Sequence, residues 1–167
     1  MKIRRLFVEK KPGFNVEAHG LLKDIKESLD INDVENLRII NRYDIQDMEE
    51  NEYEKSKYTV FAEKTVDNIY EEELEDVKES RIFAVEYLPG QYDQRADSAS
   101  QCIQILSQKE RIKIASSKVY IIEGNISDQE FESIKNYCIN PVDSREASLK
   151  KVSDLNEKIN VPQDVEV

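Results

Sequence analysis

Apolar and polar positions along the chain fall into two periods, one of strands and one of helices, and they do so twice. Residues 4–9 form a short run centred on Leu6, Phe7 and Val8 that reads as a strand, ended by Pro12-Gly13, where the backbone must turn. Beyond the turn Ala18, Leu22, Ile25 and Leu29 recur at spacings of four, three and four. They predict a helix with one apolar face, and Asn15 stands where it can cap it. Residues 37–45 supply a second strand, and a helical stretch follows around Tyr53, Val60 and Phe61.

The order then repeats. Residues 81–87 read as a strand and Leu88-Pro89-Gly90 as a turn. Asp93 is placed to cap a helix carrying Ala96, Ala99, Ile103 and Leu106 on one side. Residues 119–122 form the next strand. Ser127-Asp128-Gln129-Glu130 is a capping-box pattern ahead of Phe131, Ile134 and Cys138. Past Ser144 the periodicity fades, and residues 152–167 read as a linker, from which the reading frame is expected to continue.

The repetition extends to residue identity. Pro12-Gly13 returns as Pro89-Gly90, 77 residues on, and Val66-Asp67 returns as Val142-Asp143 after 76. The expectation is therefore an α+β protein of two tandem strand–helix–strand–helix repeats forming a pseudo-dimer, its sheets covered by helices on one face. The first repeat with its acidic connection spans residues 1–79 and the second 80–150. Residues 151–167 form the linker.

Composition narrows the function classes. Of the net charge of −11, a net of −10 lies between Asp44 and Glu79, where fourteen acidic residues face four lysines. Such a chain repels a phosphate backbone, and no basic stripe with interleaved aromatics offsets it, so nucleic acid is not the expected partner. The run Glu71-Glu72-Glu73-Leu74-Glu75-Asp76 reads as a solvated connection rather than a cation site, because hard cations need ligands held by a shaped loop. No stretch approaches the apolar length of a membrane span, no signal-peptide pattern opens the chain, and two cysteines are too few for a disulfide framework, so the expected location is cytoplasmic.

Catalytic motifs are scarce. Four glycines cannot build a dinucleotide fingerprint or a phosphate-cradling loop, and His19 is the single histidine, so no local zinc cluster is present in the sequence. His19 is expected at the surface, and Cys102 and Cys138 are read as small buried hydrophobes rather than nucleophiles. The densest polar chemistry is Gln91, Tyr92, Asp93, Gln94, Arg95, Asp97 and Ser98, packed into the second turn and the helix start. Anion or ammonia handling, a polar interface, and a plain solvated cap are all open for this segment. Asn140-Pro141-Val142-Asp143-Ser144-Arg145-Glu146 is a second polar cluster, expected to end the last helix and lead into the linker, with Asp143, Arg145 and Glu146 as its contact residues.

These segments, with Val8-Glu9-Lys10-Lys11-Pro12-Gly13-Phe14, closely resemble the N-terminal part of large, single-chain phosphoribosylformylglycinamidine synthase over roughly residues 3 to 150. In that family the N-terminal domain is a fused pair of units similar to the small, separate subunit of the three-component form. The resemblance implies a ligase of purine biosynthesis that uses ATP, magnesium and glutamine. It places catalysis in synthetase and glutaminase domains that these residues do not contain, so no catalytic residue and no cofactor is expected in this chain. It also implies a bridging role between those two domains of the same polypeptide, helping to form a protected path for ammonia, which would be protonated and lost as a nucleophile in water. The polar residues from Gln91 to Ser98 are then interface or ammonia-path residues. Two other readings stay open: a free-standing fused adaptor of a multi-subunit synthase, and a metabolite-sensing α+β module.

Overall fold

The first apolar run becomes β1 (Ile3–Lys10), and the Pro12-Gly13 turn leads into α1 (Val16–Ser28). The computed structural model describes residues 2–75, 77, 80–152 and 155. After α1 come β2 (Val34–Gln46), α2 (Glu50–Ser56), a π-helical turn (Lys57–Phe61) and β3 (Asp67–Glu71). The second half contains β4 (Arg81–Tyr87), α3 (Gln94–Ser107), β5 (Ile114–Gly124), α4 (Asp128–Cys138) and β6 (Ser144–Ala147). Each half thus carries one strand more than the hydrophobic pattern predicts. β3 lies inside the supposed acidic connection, and β6 inside the supposed lead into the linker.

Six strands make one antiparallel sheet in the order β3-β1-β2-β5-β4-β6, a single layer rather than separate sheets. β1 pairs with β2 and β3, β4 pairs with β5 and β6, and the long strands β2 and β5 meet along the middle. β3 and β6 are therefore the edges.

Strand alternation sends Leu37, Ile39, Tyr43 and Ile45 of β2 to one face and Arg38, Ile40, Arg42 and Asp44 to the other. All four helices cover the first face. Leu6, Tyr43 and Ile45 pack with Tyr53, Phe61, Ala99 and Ile103, while Leu37, Phe83, Tyr120 and Ile122 pack with Ile25 and Ile134. Burying each leucine, isoleucine or phenylalanine among them stabilises the fold by about 1.5–3 kcal/mol.

Among the described residues the opposite face carries no helix. At its centre Phe7, Ile40, Ala84, Val119 and Ile121 pack beneath Leu74 and Val77. Around them runs a charged network. Arg5 makes two bonds to Asp44, at 2.8 and 3.0 Å, and Arg38 makes two to Glu9, both 2.8 Å. Backbone carbonyls cap these two guanidinium groups and that of Arg42: Leu149 accepts from Arg5 at 2.8 Å, Ser148 from Arg42 at 3.0 Å and Glu75 from Arg38 at 2.9 Å. Desolvation lowers the pKa of the buried Arg42 to about 10, with Arg5 adding to the effect and Asp44 and Glu86 opposing it.

The run Glu71 to Asp76 is accordingly more than a solvated connection. Glu71 closes β3 and pairs with Lys57 at 2.9 Å, Glu72 accepts from the Arg5 backbone at 3.0 Å and from Lys151, and Leu74 covers the sheet. Asp76 lies outside the described residues. Of the expected linker, Lys151, Val152 and Leu155 are described, and Leu155 is buried, its N–H donating to Gln46 at 2.9 Å.

Candidate functional site

Both polar clusters sit at one end of the sheet, because β4 and β6 are neighbours. Tyr87 pairs with Ser144, and the Leu88 N–H donates to the Asp143 carbonyl at 2.9 Å, so the Pro89-Gly90 turn lies beside the turn that precedes β6. The Gln91 N–H donates to the Leu88 carbonyl at 3.0 Å, and Gly90 takes φ +89°, the left-handed value that a type II turn requires after proline.

Asp93 is the anchor of this region. Its carboxylate accepts from the Ala96 N–H at 3.0 Å, capping α3, and from the N–H and hydroxyl of Ser116 at 2.8 and 2.6 Å, tying the helix start to β5. The predicted cap is present, and it does a second task that the sequence does not reveal. By contrast Asn15 occupies the position before α1 without capping it, and its buried Oδ1 has no hydrogen-bond partner among the described residues. The capping box at Ser127 and Glu130 is complete.

The segment 91–98 divides between two clefts on either side of α3. Gln94, Arg95 and Ser98 line a cleft of about 760 Å³ between α3, the sheet and the end of α4. Gln91, Tyr92, Asp93 and Asp97 line one of about 620 Å³ beneath the turn, with Arg145 opposite. Tyr92 donates to Asp97 at 2.7 Å, and Asp97 also pairs with Arg111. Arg145 binds Glu86 at 2.9 Å, and Glu146 faces Lys135 at 3.4 Å. Arg95 is exposed, and its guanidinium near the Tyr43 hydroxyl opposes the upward shift that burial imposes on that group.

Ser116, Arg111 and Tyr43 complete these contacts and carry no local signature. Each is 14 residues or more from its partner in the sequence: α3 packed on the sheet brings its start to Ser116 of β5 and Tyr43 of β2, and the loop between α3 and β5 returns Arg111 to Asp97.

The cysteines separate. Cys102 is exposed, against the expectation of burial, because the buried stripe of α3 follows Ala96, Ala99, Ser100 and Ile103 and leaves position 102 at its margin. Leu106 is likewise 67% exposed instead of completing the apolar face. Cys138 is half-buried and lines the same cleft. Desolvation first, and then Glu17, push its thiol up to about 12, with Lys118 opposing, so at neutral pH it is a protonated, poor nucleophile. His19 is exposed on α1.

Among the described residues no group of three or more His, Cys, Asp or Glu side chains is arranged to hold a metal ion, and no helix is long and apolar enough to cross a membrane. No protein-family model matches this chain, and no curated protein matches it.

Proposed function

We propose that this chain is a bridging domain built by duplication, of the kind found at the N-terminus of large phosphoribosylformylglycinamidine synthase. Its task in that reading is to hold synthetase and glutaminase domains together around an ammonia path. The observation that carries it is the convergence of the two polar motifs that bear the resemblance. Residues 88–98 and 140–146, more than 40 positions apart, meet at one end of the sheet and flank two clefts.

A duplicated scaffold is supported by contacts that recur after 77 residues. The Phe14 N–H to Lys11 carbonyl bond has its counterpart in Gln91 to Leu88, and Lys11 to Val66 in Leu88 to Asp143. Val66 to Glu63 and Asp67 to Glu63 likewise answer to Asp143 to Asn140 and Ser144 to Asn140. Leu6 faces Tyr43 as Phe83 faces Tyr120. At the middle of the seam Asn41 faces Lys118, two positions 77 apart, as expected where equivalent strands of a two-fold arrangement cross. These bonds make Asp143 the counterpart of Val66, so the match of Val66-Asp67 to Val142-Asp143 is one residue out of step with them.

The experiment is complementation in trans. A synthase lacking its N-terminal domain is mixed with this chain, and amidine synthesis is followed with glutamine and, separately, with ammonia. Restoration of glutamine-dependent turnover, with no turnover by the chain alone, is the expected result. Amidine synthesis by this chain alone from ATP and glutamine sinks the proposal, as does a failure to bind the truncated synthase.

A further inference from the structure

Among the described residues, the cleft beside α3 keeps two opposite charges without a protein counter-charge. The Arg95 guanidinium meets the Tyr43 hydroxyl and, among the described residues, no carboxylate. The Asp143 carboxylate lines the same cleft with no hydrogen bond or ion pair among the described residues, its backbone N–H and carbonyl being engaged in the turn. The other charges on the cleft are cancelled locally: Glu86 by Arg145 at 2.9 Å and Lys118 by Glu17. What remains is one cation on α3 and one anion on the turn before β6. They stand above a floor that includes Val85 and Tyr120, and the Gln94 and Ser98 side chains, which make no hydrogen bond among the described residues, add polar groups on the helix side.

A single unpaired charge suits a simple ion, but an unpaired pair of opposite sign in one concavity suits a ligand that carries both. We propose that this cleft binds a small zwitterion, an amino acid whose carboxylate pairs with Arg95 and whose ammonium group pairs with Asp143. A guanidinium offers parallel N–H donors that match a carboxylate, and a free carboxylate accepts from an ammonium group through charge-assisted bonds. The volume, about 760 Å³, lies within the range of small-molecule sites and leaves room for a side chain above the polar ends. The inference goes beyond the bridging role and does not rest on it, since the ligand is bound by this chain's own residues.

Calorimetric titration of the full chain with glycine, 4-aminobutyrate and 6-aminohexanoate tests it, with acetate and methylammonium as ligands that carry one charge each. At least one zwitterion is expected to bind about tenfold or more tighter than either single-charge ligand, since each end adds its own charge-assisted contact. Arg95→Gln and Asp143→Asn should each weaken that binding about tenfold, whereas Arg81→Gln, whose partner Asp128 lies outside the cleft, should leave it unchanged. The comparison among ligands needs no variant, so it stands even if a substitution disturbs the fold. Equal binding of zwitterions and single-charge ligands overturns the proposal, as does the absence of heat with all three amino acids. Wild-type affinity in both cleft variants overturns it as well. Because the chain is tested alone, these outcomes are distinct from failure of complementation in trans.

Discussion

At the scale of single residues, burial holds several protons in place. The Cys138 thiol is raised from its ordinary 9.0 to about 12, and the Tyr70 hydroxyl from 10.0 to about 12, by desolvation with Glu9 adding. Burial also raises the Tyr53 and Tyr120 hydroxyls. A group whose folded pKa lies above its unfolded value holds its proton longer in the native state. Its stabilisation is complete below the unfolded pKa and is lost as pH rises towards the folded one. The urea midpoint is therefore expected to be level from neutral pH to about 9 and to fall between about 9 and 12. Cys138→Ser should remove the part of the decline that begins near pH 9; an unchanged profile in that variant would mean the thiol titrates normally. The same residue explains one limit of sequence reading: a cysteine among apolar helix residues gives no sign of whether it is half-covered, like Cys138, or open, like Cys102.

Among the elements, α3 depends on one carboxylate. Asp93 satisfies a helix N–H and two donors of Ser116 at once, so Asp93→Ala should destabilise the protein by about 2–3 kcal/mol, combining loss of a cap with unpaired donors on β5. Asp93→Asn keeps an acceptor and should lose about 1 kcal/mol; chemical denaturation of the two variants gives the comparison. A loss below that of an ordinary surface substitution in Asp93→Ala would show that Ser116 finds another partner. The helices were legible because their signals are local: a cap residue, a capping box, apolar spacings of three and four. The edge strands were not. Asp67–Glu71 and Ser144–Ala147 are short and mostly polar, and neither alternates as a half-buried strand should. Their pairing to β1 and β4 supplies what their sequence lacks. Candidate-site residues divide in the same way. Asp93 could be found from its place before a helix, whereas Ser116 gains its role from the seating of the α3 start on β5, and Arg111 from the loop that leads from α3 back to β5.

For the whole molecule, the seam between β2 and β5 decides the behaviour. Neither half keeps a core to itself. Ala99 and Ile103 of the second half complete the cluster around Leu6 and Tyr43, and Ile25 and Leu37 of the first half complete the one around Phe83 and Tyr120. Sharing of that kind makes unfolding of one half expose the core of the other, so a single cooperative transition is expected. Native-state hydrogen exchange should show β1 and β4 losing protection together as denaturant rises. Separate opening of the two, at different denaturant concentrations, would show two independent units. The outer strands have a different consequence. β3 offers five residues and β6 four, and both carry charged side chains. A sheet that ends in such short, charged borders is a poor template for another strand, so molecules at high concentration have little backbone with which to join into longer ribbons.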